Sequence, residues 1–402
     1  MQSSNTGTGH APVTVASGTR WASRAQFFCS GFIFATWGVH IPTVKAHYAI
    51  DEAQLGFAML AAGIGALLGV SRAGGLIGHH GARSITRVCG IVYALLIALL
   101  TVMPNYAALL VLLALFGIVT SVFDVAINTE AAALEQHSGR PLMSGMHGMF
   151  SLGGMAGALT GGAALAAGLA PQQHLLLVAF TMALAIAFAA MRMLPTTVTA
   201  TSSPDKDDGF RLPRGALAVL GALAALGLIA EGAIYDWSVL YLQQELGSPQ
   251  QQAALAYGSF SAAMAATRFG GDALRARFRP STLVRASALL AAVAMALVLF
   301  TSTPWIALVG FAGVGVGFAN VVPILFAASA QVPGVEPARG IASVSAAAYL
   351  GFMAGPPMIG FLARVSSLTT ALCVVVAFAL ALAAAAGQAN PRQVSPGSPG
   401  NS

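Results

Sequence analysis

Twelve apolar segments, each about long enough to cross a lipid bilayer as a helix, leave this chain little freedom of architecture. They run roughly over 24–44, 54–73, 84–103, 107–130, 143–169, 174–194, 215–241, 252–272, 282–301, 304–331, 340–363 and 367–387 of the 402 residues. Backbone amides find no water in hydrocarbon, so only helices or closed barrels are stable there. These segments are near or above the ~20 residues of a spanning helix, and too long and evenly apolar for barrel strands. The expected fold is all-α and integral to a membrane, with twelve transmembrane helices. Charged residues make up 8% of the chain, against about 25% in a soluble domain. The 45 glycines suit helices that pack closely in a bilayer. Cys29, Cys89 and Cys373 fall inside apolar runs and read as packing residues. The net charge of +6 is scattered through short loops, so nucleic acid is not an expected partner.

Basic residues set the expected orientation. If both termini lie inside, all of the 19 lysines and arginines except Lys45 and Arg364 fall on the cytoplasmic side. That bias satisfies the positive-inside rule, and an even number of spans keeps both ends together. The expected location is a bacterial-type inner membrane. The first 20 residues lack an apolar signal core and read as a polar cytoplasmic tail.

Internal similarity suggests a duplication. SLGGMAG (151–157) resembles YLGFMAG (349–355) at an offset of 198, and Arg72-Ala-Gly-Gly75 resembles Arg268-Phe-Gly-Gly271 at 196. At 196, Gly117, Ser121 and Asp124 would correspond to Gly313, Gly317 and Asn320. The expected domains are two pseudo-symmetric six-helix bundles, 21–194 and 215–388. A central cytoplasmic loop, 195–214, divides them, and a disordered tail, 389–402, follows.

Two six-helix halves around a polar central loop resemble the major facilitator superfamily of secondary transporters. The resemblance is most specific at FDVAINTEAAALE (123–135), GRPLMSGMHGMFSLGG (139–154), EGAIYDWSVLYLQQELG (231–247) and GFMAGPPMIGFLA (351–363). These stretches are similar to the bacterial fucose-permease-like branch, especially its YbjJ-type inner-membrane members. The resemblance implies alternating access, a solute site between the halves and a monomer. It does not imply fucose. One departure concerns the family's Gly-x-x-x-Asp-Arg-x-Gly-Arg loop, where GGLIGHHGAR (74–83) has Gly78 at the acidic position. The second half retains an acid in RFGGDALRARF (268–278). Asp272, supported by Arg268 and Arg275, is therefore a candidate conformational latch, with His79 and His80 weakening the first half's. The alternative is a set of ordinary loop charges.

Polar side chains inside apolar helices mark the candidate site, because lipid does not tolerate them. Gly117, Ser121, Asp124 and Asn128 fall on one helical stripe. Counting from the turn near Ser138-Gly139 places His147 at the depth of Asn128, so Asp124, Asn128 and His147 could cluster for proton exchange or for helix packing. Glu231 lies past the middle of its helix with no basic residue in the same helix. It reads as a proton carrier gated by water. Asp124, Glu231 and His147 are the proton-coupling candidates. Trp37, His40, Asn128, Tyr235, Asn320 and Tyr349 are the substrate-binding candidates, with Trp37 and His40 alternatively serving as anchor and packing groups. Pro323 and Gly355-Pro356-Pro357 are expected to bend their helices.

No nucleophile–base spacing, metal cluster or phosphate-binding glycine loop appears in a suitable context, so neither enzyme activity nor a cofactor is expected. The expected function is transport of a small solute, driven by a proton gradient, with symport of a sugar-like or other polar metabolite as one form. Proton-driven efflux of apolar or cationic compounds is the other.

Overall fold

The computed structural model describes residues 17–139, 142–195 and 214–390, except the side chains of Asp272 and Ala338. Among them the regular structure is helical throughout. The first half contains α1 (Ser17–His47), α2 (Glu52–His80), α3 (Ala82–Leu96, extended by a 3₁₀ turn at Ile97–Leu99), α4 (Tyr106–Ser138), α5 (Met143–Ala166) and α6 (Pro171–Ala190). The second contains α7 (Ala216–Gln244), α8 (Gln250–Arg277), α9 (Pro280–Phe300), α10 (Pro304–Phe318), α11 (Val321–Ser329), α12 (Pro337–Val365) and α13 (Leu368–Ala384). With α10 and α11 forming one interrupted span, the chain crosses twelve times. α1 begins at Ser17, so the last residues of the expected N-terminal tail are helical. Most of 195–214 and of 389–402 lies outside the described residues.

Residues 17 and 390 sit at one end of the bundle, called the base; the other end is called distal. Turns between spans follow local chemistry. Gly139, with φ of 62°, closes α4 in the left-handed conformation that glycine adopts without cost. The Glu135 carboxylate then accepts from the amides of Leu142 and Met143 at 2.6 and 3.0 Å, capping α5 from the preceding helix. Asp51 opens α2 with a reciprocal capping box involving Gln54.

The prolines behave differently from one another. Pro323 lacks the amide that would bond to the Ala319 carbonyl, and the span breaks at Ala319–Asn320. Pro356 and Pro357 sit within α12, which continues unbroken through them.

Large apolar side chains such as Val111, Phe180, Val293 and Val309 point outward and are more than 60% exposed. In water such a surface would drive aggregation, whereas lipid accepts it. Inside, small residues let backbones meet. A Cβ on Gly31 would overlap the Phe150 carbonyl, and one on Gly153 would overlap the Phe28 carbonyl, locking α1 to α5 at two levels.

α1 to α6 pack mainly among themselves, as do α7 to α13, and two seams join these groups: α5 against α8, and α2 against α12. The second seam is closed at one end only. Gly56 and Gly63 of α2 press on Pro356, Pro357 and Met353 of α12. Farther along the same face of α2, Gly74 and Gly78 have nothing within 4 Å of a would-be Cβ. Arg364 Nε to Asp51 Oδ2 at 3.4 Å ties the distal end, as does Gln250 Nε2 donating to the Val39 carbonyl and Thr43 Oγ1, both at 2.8 Å. The molecule is thus shut distally and splayed at the base between α2 and α12, with Tyr349 of α12 49% exposed.

The packing also corrects the repeat register. Gly117 sits on the Ala62 carbonyl of α2, and Gly315 sits on the Phe260 carbonyl of α8. Both members of this contact differ by 198, the offset of SLGGMAG and YLGFMAG. Gly313 leans on Ala294 of α9 instead. The counterpart of Asp124 is therefore Val322, not Asn320.

Candidate solute and proton site

Glu231 of α7 is 8% exposed at mid-span. The expectation that it lacks a cationic partner does not hold: Arg268 Nη2 donates to Glu231 Oε1 at 3.1 Å. Arg268 was read as a loop residue, but it stands nine residues inside the basal end of α8. Its side chain is 14% exposed. Its other nitrogen, Nη1, donates to Ser151 Oγ of α5 at 3.1 Å. Its backbone carbonyl accepts from Ser144 Oγ of α5 at 3.0 Å. One guanidinium therefore links an acid of the second half to a hydroxyl of the first, across the α5–α8 seam.

An aromatic wall lies beside this bridge. The Tyr235 ring, one turn beyond Glu231, stands edge-on to Phe34 of α1 at 5.7 Å and to Phe260 at 4.9 Å, and 5.0 Å from Tyr257. Its hydroxyl donates to Met264 Sδ at 3.4 Å. Among the described residues, the buried Tyr257 hydroxyl has no hydrogen-bond partner.

The expected cluster of Asp124, Asn128 and His147 does not form. Asn128 Nδ2 donates to Asp124 Oδ1 at 3.2 Å, a contact within one helix. His147 instead meets Phe27 of α1 edge-on at 5.4 Å and lies within electrostatic reach of Arg268. α4 packs chiefly on α2 and α3, and α5 on α1 and α8. Neighbours in sequence are not neighbours in space here. Tyr349 of α12 lies within electrostatic reach of Asp124. Gly117 and Ser121, expected on the same polar stripe, turn instead toward Ala62 and Gly69 of α2.

The other candidates disperse. Trp37 is buried in the apolar core, and Asn320 sits at the α10–α11 break, where its side chain would meet a Cβ placed on Gly271. His40 is fully buried, with Nε2 2.9 Å from His174 Nδ1 and Nδ1 3.3 Å from Thr43 Oγ1. It is packed toward the sealed distal end, not the vestibule. Of the expected latch, Arg268 belongs to the bridge and the Asp272 side chain lies outside the described residues. Arg275 lines a small basal cleft with Phe278, Leu283 and Ile324. His79 and His80 are exposed at the base, edge-on to each other. Among the described residues no trio of His, Cys, Asp or Glu could hold a metal ion.

Residues 25–337 match the sequence profile of the Major Facilitator Superfamily. The chain belongs to that superfamily. It is 33% identical over 367 residues to an uncharacterized MFS-type transporter of Yersinia pestis, covering 91% of this chain and 94% of that one. It is 32% identical to the membrane protein MosC of Rhizobium meliloti, covering 90% and 87% of the two chains. Among solved structures, a D-xylose–proton symporter superposes with a TM-score of 0.72 at 13% identity, covering 91% of this chain and 96% of that one. The fucose–proton symporter of E. coli gives 0.61 at 16%, covering 92% and 98%. At such identities the structural likeness concerns the fold of this superfamily member.

Proposed function

We propose that this superfamily member moves a small polar solute by alternating access and that protons are coupled at Glu231. The observation that carries the reading is the Glu231–Arg268–Ser151 bridge, which joins an acid to the opposite half of the molecule at mid-span. Neutralising Glu231 with a proton removes the counter-charge of Arg268. The guanidinium then has reason to leave both Glu231 and Ser151, loosening the α5–α8 seam. Protonation is in this way converted into a change of contact between halves, which is what coupling requires. On this reading the bundles 21–194 and 215–388 rock against each other. The arginine-rich base and both termini face the cytoplasm of an inner membrane, and a monomer is the working unit. The symporters among the fold relatives support the sugar-like or otherwise polar end of the solute range.

Two measurements test this. A thermal-shift panel of sugars, organic acids and drugs identifies solutes by linkage. Uptake of a stabilising solute into proteoliposomes under an imposed pH gradient then reads coupling. Glu231→Gln should abolish gradient-driven accumulation while retaining solute exchange. Wild-type accumulation by that variant would refute coupling at Glu231.

A further inference from the structure

From the charges on either side of the seam, we infer that the solute carries one carboxylate, and that this carboxylate takes the place of Glu231 on Arg268. The inference rests on the proton-coupled reading and names the class of solute.

Charge has to balance in a site nearly closed to water. In the structure one acid and one base, 3.1 Å apart, neutralise each other. A proton taken up by Glu231 leaves Arg268 as a buried cation without a counterion, a state far costlier than the pair it replaces. A neutral solute does not remedy this, because hydroxyl groups cannot cancel the charge. A monocarboxylate restores the balance: one proton on Glu231, one negative charge on Arg268, the same net charge as before. Proton and anion therefore need each other.

The geometry suits the exchange. Nη2 of Arg268 holds Glu231 and Nη1 holds Ser151. A solute carboxylate that displaces both meets the two outer nitrogens in the bidentate arrangement that guanidinium groups favour. Tyr235, Phe34 and Phe260 supply an apolar wall for the rest of the solute. A dianionic phosphate would overshoot the single positive charge, which favours the carboxylate.

Among the described residues around Glu231, no second lysine or arginine is present to play this part. α8 contributes Arg268 and Tyr257, and α5 contributes Ser151 and His147. α7 itself contributes Tyr235, one turn on from Glu231, and the next residue, Asp236. α1 presents Phe34, α11 presents Val321 and Val322 near Gly227, and α12 presents Phe352 at Gly232, none of which titrates. Besides the tyrosines, His147 and Asp236 are the other ionisable side chains on these faces.

The test supplies a glutamate side chain without its tether. Propionate and propionamide are compared at constant ionic strength by thermal shift on purified Glu231→Ala protein. Propionate should raise the melting temperature by several degrees and propionamide should not; the difference should vanish in the Glu231→Ala/Arg268→Gln double variant. If Glu231→Ala does not fold, Glu231→Gln carries the same comparison. Equal effects of the two compounds would overturn the inference, as would a larger shift with methyl phosphate than with propionate. In the wild-type protein, every panel compound whose stabilisation depends on pH should carry a carboxylate. Its affinity should rise about tenfold per unit fall in pH where one proton is taken up per anion, and should do so in His147→Gln as well. A neutral solute whose pH dependence is lost in Glu231→Gln would sink the carboxylate assignment while leaving proton coupling at Glu231 standing.

Discussion

The two halves of the molecule share a scaffold but divide the chemistry between them. At the offset of 198, Glu231 corresponds to Ile33 and Arg268 to Val70 rather than to Arg72 as the offset of 196 had it, so the first half has no such ion pair at the equivalent positions. Conversely Asp124 corresponds to Val322 and Asn128 to Phe326. Ser151 and Tyr349 occupy equivalent positions, and each reaches a charge of the opposite half: Ser151 meets Arg268, and Tyr349 lies within electrostatic reach of Asp124. The duplicated scaffold thus supplies equivalent seams, while the charges placed on them are unlike. One half holds a paired acid inside a nearly closed seam. The other holds an acid whose hydrogen-bonding side chain, among the described residues, is an amide of its own helix, with no cation paired to it. Equivalent architecture does not make the two acids equivalent in function.

The largest expected effect bears on the paired acid. Arg268→Ala should destabilise the protein by about 3–5 kcal/mol, because it strands a buried carboxylate. The Glu231→Gln/Arg268→Ala double variant should recover much of that loss, as a double-mutant cycle with the Glu231→Gln single variant in detergent unfolding would record. Additive losses would mean that the pair is not a unit. The shared scaffold is tested next: Gly117→Ala and Gly315→Ala should each cost about 1–3 kcal/mol through overpacking, while Gly74→Ala should stay within about 0.5 kcal/mol. Unequal costs at the first two positions would break the register of 198. Asp124→Asn should change stability by no more than about 0.5–1.5 kcal/mol, the worth of one hydrogen bond. It should leave proton-driven accumulation in proteoliposomes in place if coupling belongs to Glu231. Smallest of all, Arg364→Ala should cost less than about 1 kcal/mol, since both partners of its ion pair are well exposed.

The spans were legible because hydropathy and length together leave a membrane helix few alternatives. Glu231 was legible for a related reason, as an acid within an apolar run. Its partner could also have been found: Arg268 lies inside the apolar segment 252–272, and a basic residue there demands a counter-charge. It was assigned to the loop because other arginines follow closely at 275, 277 and 279. The misplacement of His147 has a different origin. A tight turn between α4 and α5 suggested side-by-side packing, whereas α5 lies against α1 and α8. The contact of His40 with His174 spans 134 residues and joins two isolated histidines, for which sequence offers no pairing signal. The repeat was visible, but its register on α4 was ambiguous by two residues until the glycine contacts distinguished Gly315 from Gly313.

The double interlock of α1 and α5 has a mechanical consequence. With Gly31 seated on the Phe150 carbonyl and Gly153 on that of Phe28, neither helix can slide along the other without collision. Ser151 lies between those two anchor points, so it is carried as part of a stiff double strut. If Arg268 releases that hydroxyl, as the proposed coupling requires, displacement at that single atom would be transmitted to Phe34 on the same strut. The wall beside the charged pocket would then shift in step with the release.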